Sequence, residues 1–134
     1  MSFETKSTQV VVATRDRDLS ANVAAGFTPL GARAPRVTQV ASAAECLTAL
    51  CLLNPALLVL DDAVTERPGP ELVDDVHRLR PDLRVVYVAR EHSIELERAA
   101  RRAGVLLYVA QPVDSGSLES VLLRILDRAE RNAG

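Results

Sequence analysis

Three acidic residues, Asp16, Asp61 and Asp62, stand just past short apolar runs, where a strand would end. Carboxylates gathered at strand ends suit a hard cation such as magnesium, which takes oxygen ligands in a near-octahedral shell. They also do plainer work, accepting hydrogen bonds from loop backbone amides. Their neighbours are Thr14 and Arg15. A guanidinium at Arg15 would cancel part of the charge that attracts a metal, and it has two outlets: a charge-assisted pair with Asp61, or solvent. Other chemistries fare worse. There is no Ser–His–Asp constellation, and neither cysteine falls at a strand tip. The segment 14–18 holds two acids and no glycine, unlike loops that offer backbone amides to a phosphate.

Positioning these groups requires strands, and the hydrophobic pattern supplies five. Residues 9–13 form a short β-branched run, followed by a helix with Leu19, Val23, Phe27 and Leu30 on one face and Asp18 as its cap. Gly26 and Pro29 predict a kink or stop near Ala25. A second strand fits 36–41. Ser42 and Glu45 make a capping box for a helix that Asn54-Pro55 closes. Residues 56–60 are the most continuous apolar run, as a central strand buried on both faces would be. Leu72, Val73, Val76 and Leu79 mark a third helix, 84–89 a fourth strand, 93–103 a fourth helix ending at Gly104, and 105–110 a fifth strand stopped by Pro112. The last helix opens at about Ser117.

Strands alternating with helices imply an α/β fold: a doubly wound five-stranded parallel sheet, order 2-1-3-4-5, in a flavodoxin-like three-layer sandwich. Chemistry on such a sheet belongs at the carboxyl ends of the strands, beside the switch point between the first and third. Thr14, Arg15, Asp16, Asp61, Asp62, Ala89, Arg90, Gln111 and Pro112 lie there. The domain is expected to span 9–131, with a flexible tail at 1–8 and a short one at 132–134.

Composition narrows the classes further. No apolar run approaches bilayer length, and the polar N-terminus has no signal-peptide core. A net charge of −2 gives no electrostatic reason for nucleic acid as a partner, and the absence of Trp leaves no stacking platform for bases. Cys46 and Cys51 lie five apart in an apolar stretch, a spacing that matches no zinc pattern and reads as two buried thiols in a reducing cytoplasm. His77 reads as a surface residue and His92 as a solvated loop residue. The only lysine is Lys6, in the N-terminal tail.

The run Pro55-Ala56-Leu57-Leu58-Val59-Leu60-Asp61 resembles the third strand of bacterial response-regulator receiver domains, which carries the phosphoacceptor aspartate at its tip. Gly104-Val105-Leu106-Leu107-Tyr108-Val109-Ala110-Gln111-Pro112 is similar to the family's fifth strand, which ends in Lys-Pro. The two motifs stand in the right order and the resemblance covers nearly the whole chain. It implies that Asp61 holds the phosphoacceptor position, that Tyr108 is the switch aromatic, and that the Gln111–Pro112 bond is cis. The departures cluster at the site. Thr14 and Arg15 stand where the family has its metal-binding acidic pair, Ala89 where it has a Ser or Thr, and Gln111 where it has the phosphate-pairing lysine. Phosphoryl transfer rests almost wholly on positioning and charge stabilisation, so these losses compound.

The resemblance therefore implies a degenerate receiver of two-component signalling: a non-enzymatic, cytoplasmic module acting by protein–protein contact without aspartyl phosphorylation. Its partner is another protein or an attached output domain, with neither nucleic acid nor membrane bound by this domain. No cofactor is expected, and magnesium only if Asp16, Asp61 and Asp62 together form a site. Two alternatives stay open: a phosphorylatable receiver using Asp61 with an atypical metal site, and a nucleotide- or small-molecule-binding flavodoxin-like domain. Arg98, Arg101 and Arg102 with Tyr108 form the expected interaction surface, and a homodimer could pair those arginines with Glu119, Asp127 and Glu130.

Overall fold

The computed structural model describes residues 8–111 and 115–133. Five parallel strands, β1 (Gln9–Ala13), β2 (Arg36–Val40), β3 (Leu57–Asp61), β4 (Arg84–Ala89) and β5 (Leu107–Ala110), form one sheet in the order β2-β1-β3-β4-β5. Between and after them run α1 (Arg17–Gly26), α2 (Ala43–Leu53), α3 (Gly69–Leu79), α4 (Ile94–Arg102) and α5 (Ser115–Ala133). The expected doubly wound order is thus present. β3 is buried at every position because β1 and β4 flank it and helices cover both faces.

Side chains of a strand alternate between faces, and the core divides accordingly. Leu58 and Leu60 of β3, Val11 of β1 and Val85 and Tyr87 of β4 pack in one layer with Cys46, Leu50, Leu72 and Val76 of α2 and α3. Leu57, Val59, Val10, Val12 and Val86 face the other way, onto Leu19 and Val23 of α1 and Leu122 and Leu126 of α5. Each fully buried Leu or Val contributes roughly 1.5–3 kcal/mol of transfer free energy, which conformational entropy largely offsets.

Helix ends depart from the sequence reading in informative places. Asp16, not Asp18, caps α1: its Oδ1 accepts from the Asp18 N–H at 2.9 Å, placing Asp18 in the first turn. α1 stops at Gly26; Phe27 is its buried C-cap, and a 3₁₀ segment at Thr28–Arg33 carries Leu30. The Ser42 cap forms as expected, its Oγ accepting from the Glu45 N–H, while Glu45 Oε1 reaches one residue further back and accepts from the Ala41 N–H. Asn54 ends α2 in the left-handed conformation at φ 48°, and the Arg80 guanidinium donates twice to the Leu50 carbonyl, one of the last carbonyls of that helix. α5 starts at Ser115 and runs through Ala133, so the expected domain end at 131 falls inside a helix.

Two further expectations are corrected. Cys46 is buried, which pushes its thiol up to about 11, but Cys51 is exposed. Five residues exceed one turn by 1.4 residues, so the two thiols leave the helix in different directions. His77 is half-buried rather than superficial. Its Nδ1 lies 3.0 Å from the Ala103 carbonyl and its Nε2 3.1 Å from that of Leu83, which ties α3 to the end of α4. Among the described residues no helix is long and apolar enough to cross a membrane.

Candidate functional site

The sheet reverses its winding between β1 and β3, and in register Ala13 lies beside Leu60. Their strand ends therefore bring Thr14 and Asp61 together at the switch point, both fully buried. Thr14 Oγ1 donates to Asp61 Oδ2 at 2.7 Å and accepts from the Asp16 N–H at 2.9 Å. β4 delivers the third participant. Arg90 follows its last residue and grips Asp61 with two prongs, Nε to Oδ1 at 3.1 Å and Nη2 to Oδ2 at 2.8 Å. The Ala63 N–H donates to Oδ1 at 3.1 Å.

These four donors use the four lone-pair directions of the carboxylate. Burial raises the Asp61 carboxyl, but the bonds from Arg90, Thr14 and Ala63, with the charge of Arg90, outweigh it and hold the group below its ordinary value. Asp61 is thus a fully hydrogen-bonded anion inside the fold. Its guanidinium partner keeps 42% of its side-chain surface exposed, so water solvates part of that charge.

Asp62 faces a different set of partners. Its Oδ1 accepts from the Arg90 backbone N–H at 3.1 Å and its Oδ2 from the Tyr87 hydroxyl at 3.0 Å. Arg90 therefore engages two successive acids, one with its side chain and one with its backbone. Burial and the nearby Asp62 charge both raise the Tyr87 phenol, which stays a donor. The same hydroxyl explains Gly69 at the start of α3: a Cβ there would lie 2.7 Å from Tyr87 Cζ, inside van der Waals contact. Tyr87 stacks on Tyr108 with centroids 5.6 Å apart and planes at 10°. His92 meets Tyr108 edge-on, its Nδ1 3.0 Å from the phenol oxygen. A continuous series of contacts thus runs from Asp62 through two tyrosines to the loop before α4.

Several sequence expectations change here. Arg15 does not reach Asp61; its Nε donates to the Ala41 carbonyl at 3.1 Å, because the chain leaving β1 turns toward the end of β2. Arg90 takes the role foreseen for it. Asp16 is occupied capping α1, so Asp16, Asp61 and Asp62 do not form a shared acidic pocket. Among the described residues no group of three His, Cys, Asp or Glu side chains is placed to hold a metal ion. The donor set does not fit magnesium: the lone pairs of Asp61 are engaged, and a cationic side chain stands beside it. Ala89 ends β4 without a hydroxyl, and Gln111 follows β5 with its backbone N–H on the Ala89 carbonyl. Pro112 and the bond preceding it lie outside the described residues.

On α4, Arg98, Arg101 and Arg102 are all exposed as expected, although Arg101 is paired with Glu97 at 2.8 Å. Tyr108 is half-buried between Tyr87 and His92, so it belongs as much to the site's support as to the surface.

The arrangement matches solved structures along almost its entire length. A CheY-like response-regulator receiver domain protein from Methanospirillum hungatei JF-1 superposes with a TM-score of 0.80, at 22% identity, over 94% of this chain and 98% of that one. The chain has the receiver fold. NtrX from Brucella abortus gives a TM-score of 0.77 at 22% identity, over 95% of this chain but 29% of that one. In sequence, the DNA-binding transcriptional regulator NtrC of Azospirillum brasilense is 27% identical over 71 residues, 53% of this chain. The chain spans 15% of the length of that curated relative. No protein-family model matches the sequence. Within the receiver fold, the switch-point cleft of this chain is filled by its own arginine.

Proposed function

We propose that this chain is a receiver-like signalling module of the two-component type that works by protein–protein contact, with Asp61 withheld from phosphorylation. The observation that carries this reading is the two-pronged Arg90–Asp61 pair, completed by Thr14 and Ala63. To accept a phosphoryl group, a carboxylate oxygen must be free to attack and a cation must neutralise the oxygens in transfer. Here both oxygens are engaged, and the cation present is fixed to the nucleophile itself.

The partner surface in this reading is the exposed side of α4, with Arg98 and Arg102 offering charge and Tyr108 an apolar anchor. NtrX and NtrC are both much longer than the matched portion, which favours an output domain on the same chain as one form of partner. Intact mass after incubation with acetyl phosphate and magnesium tests the phosphorylation half. The mass is expected to stay unchanged. A magnesium-dependent gain of one phosphoryl group, mapped to Asp61, would overturn the reading.

A further inference from the structure

Arg67, Arg78 and Arg101 are each paired with acids of α3 or α4. Three further arginines converge on one hollow instead. Arg84 opens β4, and Arg124 and Arg128 are exposed one turn apart on α5. Among the described residues none of the three has an ion pair. Together with Leu106, Leu107, Val121 and Ile125 they line a groove of about 460 Å³. No acid lines it, and α4 contributes nothing to it. The groove lies where β4 and the edge strand β5 begin, at the end of the sheet opposite the strand-tip cleft. Like charges four residues apart on a helix repel, so Arg124 and Arg128 weaken α5 in the free domain. Between them and the sheet edge Leu106 is 50% exposed.

We propose that this groove binds an acidic segment of a partner protein, seating one of its aliphatic side chains among the leucines and offering carboxylates to Arg84, Arg124 and Arg128. The charge and the lining select that occupant together. A guanidinium takes a carboxylate in a two-pronged, charge-assisted bond, and three of them with no acid between them call for an anion. The aliphatic lining calls for an apolar anchor beside it. Nucleic acid would use the same cations but gains from aromatic stacking, and the groove has no aromatic side chain. A lipid surface is flat and does not enter a hollow. A second copy set groove on groove across a two-fold axis would bring arginine against arginine. Positions 121 to 128 span about 10 Å of helix, the reach of about three extended residues. The contact is therefore short, and it weakens as salt is raised. It shares no residue with the cleft or with α4, so it stands apart from the phosphorylation reading.

Fluorescence anisotropy tests it, with a labelled peptide of single leucines set between glutamate pairs titrated at low salt with the full 134-residue chain. Saturable binding is expected. Arg124→Glu with Arg128→Glu should weaken it by at least about tenfold while leaving the melting curve unchanged. Leu106→Asp should weaken it too, and so should serine in place of the peptide's leucines. Arg98→Glu with Arg102→Glu on α4 should bind like wild type. Absence of saturable binding overturns the proposal. So does a serine peptide that binds as well as the leucine one, an α5 double variant that binds like wild type, or an α4 variant that loses as much. Single-stranded DNA or phosphatidylglycerol vesicles held through Arg124 and Arg128 more tightly than the peptide would overturn it as well, as would self-association that the α5 double variant abolishes.

Discussion

The strand-tip cleft and the outer face of α2 are opposites. In the cleft, charged and polar groups are turned on one another: each oxygen of Asp61 has two donors, and each oxygen of Asp62 has one. On α2, apolar groups that a solitary domain would bury are left facing outward. A buried carboxylate without partners costs several kcal/mol, and Arg90 supplies Asp61 with a counter-ion from within the chain. Exposed leucine and alanine cost far less, so an apolar stripe survives in the free chain and becomes useful when something covers it.

Breaking the cleft should have the largest effect. Arg90→Ala leaves Asp61 buried with two neutral donors and should destabilise the domain by roughly 2–3 kcal/mol in urea unfolding, below the full cost of breaking a buried pair because Arg90 is partly solvated. The Asp61 carboxyl should then titrate higher, since burial acts with less opposition. Thr14→Val removes the donor to Asp61 and the acceptor for the Asp16 N–H, and should cost about 1–2 kcal/mol.

Acid separates the two regions without mutation. Because Asp61 is depressed in the folded state, its contribution is complete above the unfolded carboxyl value of about 3.9 and is lost as pH falls below that, through the folded value. Urea midpoints of wild type should fall in that window, and Asp61→Asn, less stable at neutral pH, should fall less. Leu52→Asp is the smallest perturbation of the fold: about 0.5 kcal/mol or less on unfolding.

The sheet was legible because each strand carries its own pattern. The unbroken Leu57-Leu58-Val59-Leu60 run announces a central strand, and Ser42 with Glu45 announces the start of α2. The cleft was legible as a set of positions but not as a set of partners. Arg15 and Arg90 both follow strand ends, and composition does not distinguish them. What decides between them is the direction the backbone takes, toward the end of β2 in one case and over β3 in the other. Tyr87 carries a signal in the sequence: a polar hydroxyl inside an otherwise apolar strand needs a buried partner, and Asp62 is that partner. The apolar neighbours of Cys51 suggest burial, but helical periodicity sets it away from Cys46, and it is exposed.

The most direct test follows the backbone amides of Ala63 and Arg90 by NMR while magnesium is added to the isotopically labelled wild-type chain. Both N–H groups donate to the acidic pair, so they report any change at Asp61 or Asp62. With Arg90 in the cation's place, their resonances should stay where they are up to tens of millimolar magnesium. Saturable shifts centred on these two amides at millimolar magnesium would mean that the ion displaces the guanidinium and that the cleft is still a working metal site.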